Sequence, residues 1–363
     1  MRVRTEDSGK NFAVVVGATG ISGRALCREL AQRGWRVAGL SRRALTSLDG
    51  VESVQADLTD AESVRSALAG LDLTHVFFTA WSRMPTEAEN ITVNSAMVRH
   101  VLDVAGPSGH VRHVALVTGL KHYLGPFEAY ATGETRDTPF HEEEPRLPAP
   151  NFYYAQEDEL WKAAERYQFT WSVHRSHTII GHAVGNAMNM GMTLAVQAAL
   201  CRTEGRPFVF PGNEVQWNGV TDMTDAGLLA RQMIWAATTG DVPSQAYNTA
   251  NGDLFRWRWM WPRIAELLDV EPEGYLARPR PLEEQMAGEA DTWRRLAERE
   301  HLAEPDITRV ASWWHTDSDL NRPIECFTDM TRSRSAGFTE YVHTLTSFAT
   351  LFDTLRRERV IPG

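Results

Sequence analysis

The chain has 363 residues, 43% hydrophobic and 23% charged, with a formal net charge of −10. That length supplies one large or two interlocked domains with ample core, and the acidic balance argues against nucleic acid as a main partner. Cys27, Cys201 and Cys326 stand far apart and suggest neither a disulfide framework nor a metal site, and no apolar run reaches membrane-spanning length, so a soluble cytoplasmic protein is expected.

Residues 1–10 read as a flexible polar leader without the apolar core of a signal peptide. Phe12 to Val16 is then an apolar, β-branched run suited to a strand buried on both faces. Gly17, Gly20 and Gly23 follow in GxxGxxG spacing, and Ile21, Ala25, Leu26 and Leu30 recur at helical spacing until Gly34. Strand, glycine turn and helix make an anion cradle: backbone can approach a pyrophosphate, and the helix N-terminus supplies free N–H groups and positive dipole. Dinucleotide binding is expected here. The second strand, Arg36 to Leu40, ends in Ser41-Arg42-Arg43, where an NAD-specific fold places an acid. Two arginines can pair a 2′-phosphate instead, which favours NADP(H).

Val51 to Gln55 is the third strand, followed by Asp57 at a position suited to the adenine amino group. Thr59-x-x-Glu62 has capping-box spacing and predicts a helix running to Gly70. His75 to Ala80 is the fourth strand, Glu87 to Ala105 a helix, and Val111 to Val117 the fifth strand, ending at Thr118. A long loop over 120–150 carries Glu142-Glu143-Glu144 as a solvated run, and a helix from Asn151 to about Tyr167 leads to a sixth strand, Thr170 to His174. The alternation predicts an α/β, Rossmann-like doubly wound parallel sheet with ligands at the strands' carboxyl ends. Beyond Gly181 the pattern turns mostly helical, with helices near 188–199, 224–239, 257–268, 282–299, 306–315 and 342–358 and short strands near 207–211 and 245–250. The expected organisation is a leader (1–10), an NADP-binding domain (11–181), and a substrate-capping region (182–363) with segments returning to the first domain. Phe255 to Trp261 mixes arginine with aromatics, but Trp257 and Trp261 are one helical turn apart and are expected in the core.

The Tyr-x-x-x-Lys pair of short-chain dehydrogenases is absent: Glu157 follows Tyr153 by four residues and Asp158 follows Tyr154. Only three lysines occur, Lys10, Lys121 and Lys162. Lys121 begins the loop after the fifth strand, and Tyr153 begins the helix which that loop feeds. Residue types alone leave open whether they form a catalytic pair or whether Asn151 to Tyr154 merely caps a helix. His174, His177 and His182 lack the carboxylates and the common face that a metal site needs, so no metal is expected.

The blocks Lys121-His122-Tyr123-Leu124-Gly125-Pro126-Phe127 and Asn151-Phe152-Tyr153-Tyr154 resemble those of the progesterone 5β-reductase/iridoid synthase-like (PRISE) family of atypical short-chain dehydrogenases. The resemblance extends from Gly17 through Arg43, and on to Trp171 to Arg175, Asn248 to Asp253 and Trp313-Trp314. It implies NADPH-dependent reduction of the C=C bond of enones and enals, with Lys121 and Tyr153 as catalytic residues and Arg42 and Arg43 on the 2′-phosphate. The implied cofactor set is Gly17, Thr19, Gly20, Ile21, Gly23, Ser41, Arg42, Arg43, Asp57, Leu58, Ala80, Thr118 and Tyr153, and the implied pocket holds Trp81, Phe127, His177 and His315. In this reading Tyr153 hydrogen-bonds the enolate oxygen, and Lys121 lowers the phenol pKa and adds positive potential. Two departures stand out, Ser176-His177 where the family commonly has Pro-Gly, and His315 where relatives can have phenylalanine. The alternatives are carbonyl reduction of a ketone or enal at the same site and a non-catalytic NADP-binding sensor. A homodimer is compatible with such folds.

Overall fold

The computed structural model describes residues 11–45, 48–126, 136–186, 188–240 and 244–363. The expected leader and Phe127 lie outside the described residues. The first half runs β1 (Phe12–Val16), α1 (Ile21–Gln32), β2 (Arg36–Ser41), β3 (Val51–Gln55), α2 (Ala61–Leu68), β4 (His75–Phe78), α3 (Glu87–Ala105), β5 (His113–Gly119), α4 (Lys121–Leu124), α5 (Phe152–Tyr167) and β6 (Thr170–Ser176). The second half continues with β7 (Ile179–Ile180), α6 (Met190–Glu204), β8 (Phe208–Val209), α7 (Glu214–Asn218), β9 (Thr224–Asp225), α8 (Ala226–Thr238), β10 (Gln245–Thr249), α9 (Trp257–Leu267) and β11 (Pro272–Glu273). It closes with α10 (Leu282–Gln285), α11 (Ala290–Glu300), α12 (Trp313–Leu320), α13 (Thr331–Ser335) and α14 (Thr344–Arg357).

Seven parallel strands form one sheet in the order β10-β6-β5-β4-β1-β2-β3. The chain leaves β1 toward β3 and later turns back through β4 to β6, so the strand order reverses between β1 and β4, where a doubly wound sheet opens a crevice. Alternate residues of β1 serve opposite cores. Ala13 and Val15 pack with Leu26, Leu30, Leu229 and Met233 from α1 and α8, while Val14 and Val16 pack with Val98, Val101 and Leu160 from α3 and α5. Burial on both faces is why these strands read as unbroken apolar runs. From the second half, α8 and β10 complete the layered sheet. Much of the rest surrounds a separate core of Met192, Phe208, Trp261, Trp293, Phe348 and Phe352. Trp257 and Trp261 are both buried in that core, as their spacing predicts.

Three local expectations are corrected. Helix α2 is capped by Asp60, which accepts from the Glu62 N–H at 2.9 Å, because Asp57 captures the Thr59 hydroxyl at 2.7 Å. A capping box forms instead at Thr86 and Glu89. The acidic run is a solvated face only in part: Glu143 is exposed, but Glu142 is buried, accepting the Asn248 N–H at 2.7 Å and the Arg332 N–H at 3.1 Å. Burial pushes its pKa up to about 7. The helix predicted over 282–299 breaks into α10 and α11, with Gly288 between them at φ 83°.

Three buried histidines cross the centre of the sheet. His113 shares hydrogen bonds with Thr170 and Ser172, each at 2.9 Å, and His174 with Ser172 at 2.9 Å and Gln232 at 2.8 Å; His75 sits beside His113 in register. Burial lowers the pKa of His75 and His174 to about 4 and that of His113 to about 3. These groups stay neutral when folded but protonate below about pH 6.5 when unfolded. Their stabilising effect is therefore full above pH 6.5 and is lost as the pH falls toward 4. Urea unfolding at pH 7, 6 and 5 is expected to show that decline; equal stability at pH 7 and 5 would contradict it.

Candidate active site

The glycine turn explains itself at two positions. Gly17 has φ 89°, and a Cβ there would lie 3.0 Å from the Ala80 nitrogen; a Cβ on Gly23 would lie 2.2 Å from the Gly17 carbonyl oxygen. The turn and the first helical turn therefore close against each other only without side chains. Gly20 is the N-cap of α1 and supplies no side-chain cap, and the first turn carries no acid. Free N–H groups and helix dipole thus face the crevice, which fits a pyrophosphate.

One half of the crevice is lined by Gly17, Thr19, Ser41, Arg42, Arg43, Asp57 and Leu58. The Ser41 hydroxyl donates to the Arg43 carbonyl at 2.6 Å and fixes the loop that presents both arginines. The other half holds Ile21, Trp81, Thr118, Lys121, Tyr153, His177 and His315. Gly20, Thr79, Ala80, Trp81, Asn186 and Met188 line both. A bipartite cleft with arginines at one end and a phenol and an ammonium at the other fits a dinucleotide. Gly23 lies beneath the turn and lines neither half.

Lys121 and Tyr153 reach the cleft from different elements, α4 and α5, and one side chain fixes both. Asn151 is the N-cap of α5, its Oδ1 accepting the Tyr153 N–H at 3.0 Å, while its Nδ2 donates to the Lys121 carbonyl at 2.7 Å. The Tyr154 hydroxyl adds a 2.7 Å bond to the His122 carbonyl. A Cβ on Gly119 would lie 3.4 Å from the Tyr153 hydroxyl, so that oxygen sits at the carboxyl end of β5. The Phe152 ring stacks on Trp81 at 5.4 Å, with the Lys121 ammonium 5.7 Å from its centroid. Glu157, where a lysine would complete the usual pair, is buried and bound by Arg146 at 2.8 Å.

Burial, and to a smaller extent the Glu87 carboxylate, raise the Tyr153 phenol pKa well above its ordinary value. A phenol held neutral is a hydrogen-bond donor throughout the physiological range.

Asn186 and Met188, which join the two halves, went unread in the sequence, as did Asp319 and Arg322. Asp319 lies four residues after His315 on α12, a spacing that puts both on one helix face. Among the described residues no group of three or more His, Cys, Asp or Glu is arranged to hold a metal ion.

The family model of the PRISE-like Rossmann-fold domain matches residues 17–362. A 3-oxo-Δ(4,5)-steroid 5β-reductase from Arabidopsis thaliana is 36% identical over 98% of this chain and 94% of its own length. An (S)-8-oxocitronellyl enol synthase from Camptotheca acuminata is 35% identical over 97% and 94%. Among solved structures, the UDP-glucose 4-epimerase of Thermus thermophilus in complex with NAD superposes with a TM-score of 0.65 at 19% identity, covering 95% of this chain and 99% of that one. An epimerase from Methanothermobacter thermautotrophicus gives 0.68 at 16%, covering 96% and 92%. The two structural likenesses bear on the fold alone.

The Asn151 bridge has a testable signature. Asn151→Asp keeps the acceptor that caps α5 but loses the donor to Lys121, whereas Asn151→Ala loses both. We expect Asn151→Ala to lower stability by about 1–2 kcal/mol. Asn151→Asp, which sets a carboxylate oxygen against the Lys121 carbonyl, should also lose stability and lose roughly tenfold in kcat through misplacement of Lys121. Equal kcat in Asn151→Asp and the parent would contradict the bridge.

Proposed function

This chain belongs to the PRISE-like Rossmann-fold family, and we propose that within it the protein is an NADPH-dependent reductase of activated C=C bonds. It is an oxidoreductase of the short-chain dehydrogenase/reductase type. Its relatives are named for a 3-oxo-steroid reductase and an oxocitronellyl enol synthase, and the substrate we propose is likewise a small enone or enal. The observation that carries the reading is the meeting of Lys121 and Tyr153 in one cleft beside the glycine turn, on a backbone tied together by Asn151.

Gly17, Gly20 and the α1 N-terminus would hold the pyrophosphate, Arg42 and Arg43 the 2′-phosphate, and Ala80 and Thr118 the nicotinamide end. When bound, NADPH supplies hydride chemistry at the β-carbon of a conjugated carbonyl. The protein's part is electrostatic. As negative charge gathers on the carbonyl oxygen, the neutral Tyr153 phenol donates a hydrogen bond to it, and the Lys121 ammonium adds positive potential in a site partly screened from water. Trp81 lines the cleft beside that oxygen's donors, backed by the buried Phe152 ring. The α-carbon takes its proton from water. A carbonyl reductase would use the same donors, so the product distinguishes them: a saturated carbonyl compound for conjugate reduction, an allylic alcohol for carbonyl reduction. A sensor would require neither Lys121 nor Tyr153.

Removing one oxyanion donor costs about 10²–10³ in rate, and Tyr153→Phe should lose that much kcat on an enone while binding NADPH as the parent does. Unchanged turnover would remove Tyr153 from the mechanism. The arginine pair is tested separately. Arg42→Ala/Arg43→Ala should weaken NADPH binding by roughly 10²-fold and leave NADH binding nearly unchanged, two charge-assisted phosphate contacts being lost. Equal weakening of both cofactors would contradict a 2′-phosphate site.

A further inference from the structure

One stretch of the cleft wall beside Lys121 and Tyr153 is polar and charged, set among apolar lining such as Ile179 and Met188. His177 follows β6, and His315 and Asp319 lie on α12, with Arg322 just past its end. All four line the cleft. They form one chain of contacts. The Asp222 carboxylate accepts from His177 Nδ1 at 2.7 Å, which leaves Nε2 to accept from the Arg322 guanidinium, also at 2.7 Å. Arg322 donates in turn to Asp319, whose second oxygen accepts the Thr178 hydroxyl at 3.2 Å. Asp222 is completed by the Thr328 N–H and hydroxyl, each at 2.8 Å. Beside this chain the His315 Nδ1 is buried and has no hydrogen-bond partner among the described residues.

Such a wall is costly to build. Apolar side chains of similar size would be neutral or better for stability than a buried ion pair and its supports, and they would suit a hydrocarbon ligand. The charges also select the ligand. Arg322 faces Asp319 directly and Asp222 through His177, so the wall carries no surplus positive charge for a carboxylate or phosphate. What it presents side by side is a carboxylate acceptor, a guanidinium donor and an imidazole nitrogen lacking a partner. A neutral hydroxyl complements that set: its proton goes to Asp319, and its oxygen accepts from Arg322.

Resting on the reductase reading above, we propose that the substrate is an enone or enal bearing a neutral hydroxyl remote from the reacting carbonyl, bound by His315, Asp319 and Arg322. The wall then sets specificity, and Tyr153 and Lys121 act on the reacting carbonyl.

The test measures dissociation constants on the full chain saturated with NADP⁺, by tryptophan fluorescence. The probes are (E)-2-alkenals of six to ten carbons, each paired with its ω-hydroxy and ω-carboxy counterparts. At the chain length that spans the cleft, the hydroxylated member should bind about 10- to 100-fold tighter than the alkyl one, as expected for a hydrogen bond to charged partners. The preference should fall to about one in His315→Phe and in the double variant Asp319→Leu/Arg322→Leu, which removes the ion pair as a unit. Asp319→Asn, which keeps an acceptor, should retain part of it. Equal binding of alkyl and hydroxyl members to the parent overturns the proposal without recourse to any variant. Tighter binding of the carboxylates overturns the charge argument and the proposal with it. So does a preference that survives both His315→Phe and the double variant. Turnover of the same probes with NADPH is read separately: hydroxyl-selective binding with no reduction of any probe would fault the reductase reading and leave the wall's assignment standing.

Discussion

Asn151 is the constraint on which the site depends. Lysine and tyrosine of the usual dehydrogenase pair sit one helical turn apart, so a single helix fixes their geometry. In the proposed site Lys121 and Tyr153 come from segments separated by more than two dozen residues, and no shared helix holds them in register. Asn151 replaces the helix turn with two hydrogen bonds, one to the Tyr153 N–H and one to the Lys121 carbonyl. Because the first is also the cap of α5, forming the helix and assembling the site are one event. The position freed by the missing lysine is taken by Glu157, whose buried carboxylate binds Arg146 and ties the strap over 136–150 to the same helix.

The support continues outward from this point. The Tyr123 hydroxyl donates to Asn248 on β10 at 2.7 Å, and Asn248 donates on to the carbonyls of Phe140 and Asp329. Glu142 accepts the Asn248 N–H. The block that carries Lys121 is thus anchored to the sheet's edge strand and to the segment after α12, although all of these partners lie far away in sequence. A change at the sheet edge reaches the cleft through few intermediaries.

The sheet was legible because double burial leaves its mark on the inner strands: the Phe12 to Val16 run and the glycine turn require little context to interpret, whereas the edge strand Val51–Gln55 is largely exposed. The arginine pair stood out because an acid is expected at that turn and is missing, and both arginines line the cleft. Glu142 and the Thr59 cap were misread because sequence shows the charge or the spacing but not the competing partner, two distant backbone N–H groups in one case and Asp57 in the other. Lys121 and Tyr153 stood out through family motifs, whereas the bridge joining them depends on a contact across thirty residues that no periodicity encodes. Asp319 and Arg322 were silent for the same reason: on an isolated helix end they resemble an ordinary surface ion pair, and only the fold turns them into the cleft.

The reading as a whole stands on where hydride enters the substrate. The most direct measurement supplies NADPH deuterated at the transferred position of C4, with an enone the protein reduces, and locates the deuterium in the product by NMR. Deuterium on the β-carbon of a saturated ketone is the result that the proposed conjugate reduction predicts. Deuterium on the carbonyl carbon of an allylic alcohol would contradict it and make the same cleft a carbonyl reductase.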